Sequence, residues 1–345
     1  MYGATIGKLG ILAKPMTTNQ ACCACIPLEN VNNTFIFYQL LANRGAIIKQ
    51  AEGAAQPNIS KEKILVFSIG VPPFHEQQAI AGALSDIDAL ISAQEELLAK
   101  KRAIKQGAMQ ELLTGRRRLP GFPIRPMKQT DIGPIPEDWE VKELGEIETL
   151  EKGKGISKEQ ITVLGIPCIR YAEIYTRYAE VTQEIYSHCS ETRGLVYANE
   201  GDVIFACSGE TYEDIGKCVC NGANEKIAVG GDAVIAHIRE NNGQYLSYYL
   251  NSSVGVEQKM KLATGLTIIH LKLSELEKAL VPLPSLSEQA AIAAVLSDMD
   301  AEITAVEEEL AKHRALKRGM MQELLSGRIR LPYKKSTHKK QNAGE

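Results

Sequence analysis

Several features are missing from this 345-residue sequence, and each absence narrows its function. There is no run of 18 apolar residues, so no transmembrane helix and no membrane association are expected. Met1 to Gly10 has no basic segment followed by an apolar stretch, so no secretory signal is visible and a cytoplasmic location is expected. Among the eight cysteines only Cys22 and Cys25 have C-x-x-C spacing, and no second such pair accompanies them. Cys23-x-Cys25 and Cys218-x-Cys220 instead place two thiols on one face of a strand, where they read as small buried hydrophobes. Metal ligation is the weaker alternative, because a structural site needs four ligands in a plausible array. The six histidines are scattered and form no nucleophilic or metal constellation. Excess basic charge is also lacking: the formal net charge is −3. Residues 1–71 carry six Lys/Arg against three Asp/Glu, whereas residues 161–281 carry ten against fifteen. A segment of that balance holds DNA poorly through phosphates alone.

Two catalytic signatures are present only in broken form. Gly3-Ala-Thr-Ile-Gly7-Lys8-Leu9 resembles a phosphate loop, but it is one residue short between its glycines, and Leu9 stands where a Ser/Thr would bind magnesium. Val71-Pro72-Pro73-Phe74 resembles the N-P-P-F motif of amino-methyltransferases, with Val71 in place of the asparagine. A rigid turn into a helix is the better reading. The chain is expected to be non-catalytic, with no cofactor and no metal.

What the sequence does have is a long internal repeat. The 45 residues from Glu76 and the 45 from Glu288 align without gaps at an offset of 212, and 31 positions are identical. Each copy predicts one helix, over about 76–113 and 288–325, spanning roughly 57 Å at 1.5 Å per residue. Apolar residues recur at three- and four-residue steps: Ile80, Leu84, Ile87, Ile91 and Leu98 in the first copy, and Ile292, Leu296, Met299, Ile303, Val306 and Leu310 in the second. This is a heptad seam. Its phase lands on Lys101 and Lys105, matched by His313 and Lys317, and polar seam positions commonly fix register. Ser285 and Glu288 have capping-box spacing. Gly115 and Gly327 suit a left-handed position after each helix. A helix with one apolar stripe must bury it. The other copy is the obvious partner; packing of each helix on its neighbouring domain is the alternative.

Fainter echoes flank the helices. Ile6-Gly7-Lys8 answers Ile215-Gly216-Lys217, Phe35-x-x-Tyr38-x-Leu40 answers Tyr245-x-x-Tyr248-x-Leu250, and Ala51-x-Gly53 answers Ala263-x-Gly265. The segment from Gly201 alternates like a strand, the segment from Lys226 gives two strand-like runs about Gly230-Gly231, and the segment from Asn242 reads as a helix. The expected organisation is a partial globular domain over 1–71, a helical repeat over 72–120, a linker over 121–131, a second domain over 132–286, a second helical repeat over 287–332 and a disordered tail over 333–345. Position 1 aligns near Phe205–Ser208, so the first domain is expected to lack roughly 70 residues that the second possesses.

This plan resembles the specificity subunit of Type I restriction-modification systems. The most specific pieces are the segment Ile132–Ile147, the P-x-x-x-E-Q helix starts at Pro72 and Pro284, and the M-Q-E-L-L-[TS]-G-R helix ends at Met109 and Met321. The resemblance implies an α+β fold: two mixed α/β target-recognition domains joined by two long helices that form an antiparallel coiled coil. It also implies that each domain reads one half of a split target in double-stranded DNA. The partners implied are modification (methyltransferase) subunits and a restriction (motor-nuclease) subunit.

Candidate DNA-binding residues follow from side-chain chemistry. Lys152-Gly-Lys154-Gly-Ile-Ser157 reads as a flexible basic loop, and the resemblance implies that Arg170-Tyr171 is a strand end facing DNA. Arginine can bridge guanine O6 and N7, and amides can bridge adenine N6 and N7. Asn19, Gln20, Gln56 and Asn58 are the amide candidates of the first domain. Thr5, Lys8, Ser208, Tyr212 and Lys217 complete the set. Arg116, Arg117 and Arg118 lie just past a helix end, where cations favour the dipole. Because Arg328 and Arg330 repeat the pattern, a structural or subunit-docking role is favoured over phosphate contact. The rival reading is a coiled-coil interaction scaffold without DNA specificity, which the acidic second domain favours.

Overall fold

The computed structural model describes residues 6–51, 58–190 and 193–331. Two helices dominate it, Phe74–Leu112 and Leu286–Leu325, each about 60 Å long at 1.5 Å per residue. Both begin two residues earlier than the repeat predicts. The chain divides into two compact units: residues 1–99 with 305–345, and residues 100–304. Each unit contains a stretch of both long helices.

In unit 2 the end of the first long helix runs antiparallel to the start of the second. Lys101 pairs with Glu302 at 2.7 Å, Lys105 with Asp300 at 2.6 Å, and Arg118 with Glu288 at 2.5 Å. Unit 1 shows the same direction: Gln94 meets His313 at 2.8 Å, Lys317 pairs with Asp88 at 2.5 Å, and Arg330 with Glu76 at 2.5 Å. Rising numbers on one helix meet falling numbers on the other in both units.

The repeat makes two of these contacts equivalent across units. Arg118 and Arg330 occupy matching positions, as do Glu76 and Glu288. The arginine after each helix therefore clasps the glutamate that opens the other helix. Arg118 and Arg330 are each taken up by a carboxylate of the other helix, an engagement of the structural kind that their repeated pattern favours. One local expectation is corrected. Only the serine half of the capping box forms: Ser285 Oγ accepts from the Glu288 N–H at 3.3 Å, but the Glu288 carboxylate goes to Arg118 and to Trp139 Nε1. Gly115 and Gly327 are left-handed, with φ of 68° and 72°.

A second device also appears in both units. Tyr38 donates its hydroxyl to Asp88 at 2.7 Å, with Lys317 stacked over its ring. In unit 2 Tyr248 does the same with Asp300, under Lys105. Two of the polar seam residues, Lys105 and Lys317, thus tie the helix pair to the helices Gly243–Leu250 and Asn33–Ala42 respectively. The apolar seam serves both partners as well. Ile80 and Leu84 are buried against Phe35, Tyr38 and Leu324; Ile292 and Leu296 are buried with Met109, Leu112, Tyr245 and Tyr248. Ile87, Ile91, Leu98, Ile303, Val306 and Leu310 are also buried, and Met299 is partly so. Both proposed partners for the stripe, the other helix and the neighbouring domain, are used.

All sixteen strands among the described residues lie in unit 2. One five-stranded sheet has the order Thr149–Lys152, Ala233–His237, Val203–Ala206, Cys218–Asn221, Val181–Thr182. The other runs Ile161–Thr162, Ser187–Cys189, Ile166–Ile169, Ile227–Val229, Tyr197–Ala198. Strand alternation divides the core: Val203 and Phe205 face the helices, while Ile204 and Ala206 face a second cluster with Ile169, Val229 and Ile235. Cys218 and Cys220 share the buried helix-facing side, as expected. Cys23 and Cys25 do not sit on a strand, and Cys25 is exposed. A strand needs a neighbour to hold it. Cys218–Asn221 has Val203–Ala206 beside it, and no such partner strand occurs among the described residues of unit 1.

The runs flanking Gly230-Gly231 are both strands but not a hairpin. Ile227–Val229 joins one sheet, parallel to Ile166–Ile169, and Ala233–His237 joins the other, antiparallel to Val203–Ala206. The turn between them carries the chain from sheet to sheet, with Asp232 in the left-handed region at φ 62°.

Candidate nucleic-acid interface

Most second-domain candidates converge on that turn. Lys152 ends its strand opposite Val234. The Gly153 N–H then donates to the Ala233 carbonyl at 2.9 Å, and the Lys154 N–H to the Val229 carbonyl at 3.1 Å. A Cβ at Gly153 would lie 2.3 Å from the Gly230 carbonyl oxygen, so only glycine permits this approach. The segment expected to be a flexible loop is therefore pinned to the turn by two backbone hydrogen bonds. Lys152, Lys154 and Ser157 are exposed, and Ser157 opens a single 3-10 turn.

On the other side of the turn, Gly230 donates to the Ile169 carbonyl at 2.9 Å, which brings Arg170 alongside. Arg170 begins the helix Tyr171–Thr176. Tyr175 of that helix donates to the Ser208 carbonyl at 3.0 Å, and Lys217 Nζ reaches the Tyr175 carbonyl at 3.5 Å. Half-burial pushes the Lys217 ammonium below its ordinary pKa range. Tyr171 is half-buried. Two candidates are already engaged. Ser208 is buried, with its hydroxyl 2.9 Å from His270 Nδ1, and the Tyr212 hydroxyl donates to the Gly265 carbonyl at 2.9 Å. Their polar groups face the protein and not a duplex.

In unit 1, Lys8, Asn19, Gln20 and Asn58 are exposed. Asn19 accepts from the Ala21 N–H at 3.1 Å within its own turn. Thr5 and Gln56 lie outside the described residues, as does the tail 333–345.

Sequence reasoning missed Glu173, which is buried beside Arg170 and accepts its backbone N–H at 3.1 Å. A signal existed: Arg170 and Glu173 are three apart at a helix start, where a side-chain carboxylate reaches back to the opening N–H. It also missed Lys259, fully buried, whose ammonium donates to the carbonyl of left-handed Gly216 at 2.5 Å. Burial lowers its pKa. Among the described residues no group of three or more His, Cys, Asp or Glu is arranged to hold a metal ion. The thiols of Cys168, Cys207 and Cys220 are pushed up to about 12, chiefly by burial, and so stay protonated. No helix among the described residues is long and apolar enough to cross a membrane.

The turn is thus a rim pinned by backbone hydrogen bonds, on a two-sheet domain that packs against the paired long helices. The family model described as the Type I restriction modification DNA specificity domain matches residues 1–101 and 136–313, and the chain belongs to that family. It is a specificity subunit of the DNA-recognising, non-catalytic kind. It is 27% identical over 344 residues to the Type I restriction enzyme MjaVIII specificity subunit of Methanocaldococcus jannaschii, a match covering 94% of this chain and 76% of that one. The putative MjaX specificity subunit of the same organism is 28% identical over 282 residues, covering 80% of this chain and 62% of the relative. Among solved structures, the S subunit of a Type I restriction-modification system from M. genitalium shares the fold, with a TM-score of 0.57 at 15% identity, covering 89% and 74% of the two chains.

Proposed function

We propose that this chain, assembled with modification subunits, reads one half of a split duplex target through the rim around Gly230–Asp232. The supporting observation is convergence: Lys152 and Lys154 on one side and Arg170 and Tyr171 on the other come from two separate stretches of sequence and flank one turn, and Lys217, from a third, reaches the helix that Arg170 opens. A reading surface mounted on sheet ends holds geometry better than one on loops. The recognition segment is residues 132–286, and the helical repeats 72–120 and 287–332 are the spacer and docking platform. Half-sites one helical turn apart are separated by roughly 34–36 Å, within the reach of helices about 60 Å long. Lys8, Asn19, Gln20 and Asn58 are assigned to the other half-site. Methyl transfer belongs to the modification subunits and ATP-driven cleavage to a restriction subunit.

Because residues 161–281 are net acidic, the partners supply much of the salt-dependent affinity. The test is methylation-site sequencing in cells carrying this chain with its modification subunits. A split motif is expected, with Lys152→Ala/Lys154→Ala lowering methylation at every site alike. Methylation without sequence preference refutes the reading. A purified chain that retains DNA as strongly without modification subunits as with them refutes the partner assignment.

A further inference from the structure

Two arginines of unit 2 sit against buried glutamates, and they are held differently. Arg118 closes its donors: Nε and Nη2 reach Glu288 at 2.5 and 2.6 Å, and Nη1 and Nη2 reach Asp138 at 3.0 and 3.2 Å. Arg170 does not. Its Nε lies 3.8 Å from Glu173 Oε2, within ion-pair reach and beyond a hydrogen bond. That Nε is the one buried side-chain nitrogen or oxygen without a hydrogen-bond partner among the described residues. A structural arginine satisfies its fork, whereas this one keeps it open at the rim.

Glu173 is itself fixed. It accepts the Arg170 backbone N–H at 3.1 Å and the Ser187 hydroxyl through a short hydrogen bond, and Arg177 Nη1 stands 3.6 Å away. The Arg170 stem lies across a glycine floor: a Cβ at Gly230 would be 3.3 Å from Arg170 Cγ. Gly230 is held in turn by its hydrogen bond to Ile169. The side chain, 27% exposed, is thus held by charge on one side and by contact on the other.

We propose that Arg170 reads a guanine within the half-site of unit 2 and that Glu173 is the positioning residue that aims it. The inference rests on the rim being a DNA surface. Its chemistry is that of the guanidinium fork, which donates to O6 and N7 of one guanine in the major groove. A phosphate contact needs only an accessible charge, and Lys152 and Lys154 already supply that on the same rim.

The test uses the whole chain with its modification subunits. The wild-type motif is mapped first by methylation-site sequencing. Arg170→Ala and Arg170→Lys should relax one guanine position in one half-site, losing roughly five- to 150-fold of base discrimination, and leave the other half-site unchanged. Glu173→Gln keeps an acceptor for the Arg170 N–H but removes the charge, and should relax the same position more weakly. Glu173→Asp should retain more selectivity than Glu173→Gln. In purified complexes, 7-deazaguanine at that position should weaken wild-type binding about tenfold and leave Arg170→Ala indifferent. An intact motif in Arg170→Ala, or a loss spread evenly over all sites, overturns this inference alone. A wild-type complex with no sequence preference overturns the underlying reading as well.

Discussion

Replacing Glu288 with alanine tests the clasp between the two repeats at its more buried copy. The Glu288 side chain is 2% exposed and that of Arg118 5% exposed. Removing the carboxylate orphans Arg118 Nε and Trp139 Nε1, while Asp138 continues to hold part of the guanidinium. Breaking one partner out of a buried ion pair costs about 3–5 kcal/mol, and the remaining Asp138 contact places this case near about 3 kcal/mol. For a unit of about 205 residues, that lowers the unfolding midpoint by roughly 6–12 °C. The assay is thermal unfolding of Glu288→Ala, Arg118→Ala and the double variant. The double variant should lose less than the sum of the singles, because the only charge it leaves without its partner is the partly exposed Asp138. The equivalent change at Glu76 should cost less, since the side chain of its partner Arg330 is 69% exposed and rehydrates. Additive losses, or equal losses at Glu76 and Glu288, would refute the reasoning.

Leu296→Asp buries an unpaired carboxylate against Tyr245, Tyr248 and Met109, at a cost of several kcal/mol, and should abolish assembly with modification subunits. An unchanged melting temperature with an intact complex would count against the seam. Lys259 titrates in a known direction. Its folded pKa is depressed below 10.5, so between that folded value and 10.5 the unfolded chain binds more protons and wild-type stability rises with pH. Cys207 and Cys218 face it and oppose this trend, because burial raises their pKa values above 9.0. The comparison is therefore against Lys259→Met, in urea at pH 7 and pH 9.5. The wild type should gain on the variant at the higher pH, and a difference independent of pH would show that the ammonium is not desolvated.

The helical half of the fold was legible because its physics is local. A heptad stripe, a glycine after each helix and a 212-residue offset are all read along one chain. The rim was less legible, because its residues meet only through sheet pairing. The two strand-like runs about Gly230-Gly231 were legible, but sequence alone does not say that they belong to different sheets. The Lys152–Ser157 segment looked flexible for its glycines, although those glycines let it close on the turn. Ser208 and Tyr212 have the right chemistry for DNA, but their nearest acceptors and donors are inside the domain.

The clasp explains why the two ends of each repeat carry its most specific letters. In an antiparallel pair of equal repeats, the head of one copy must meet the tail of the other. E-Q at a helix start and R-x-R after a helix end are thus two sides of one joint, made once in each unit. The glutamine has its own part in the joint. Gln77 accepts from the Asn32 N–H at 2.8 Å, and Gln289 from the Asn242 N–H at 2.9 Å. Asn32 and Asn242 cap the helices that carry Tyr38 and Tyr248. A single E-Q dipeptide therefore fixes the opposing repeat through its first residue and the adjoining domain through its second. Equality breaks where function differs. Lys105 also binds Glu180, at 2.8 Å, an acceptor beyond those its counterpart Lys317 shares with it through Asp88 and Tyr38. Glu180 precedes the strand Val181–Thr182 of the sheet whose far end carries Lys152. In unit 2 the first long helix is thereby bonded to the two-sheet domain by the same side chain that pairs it with the second long helix.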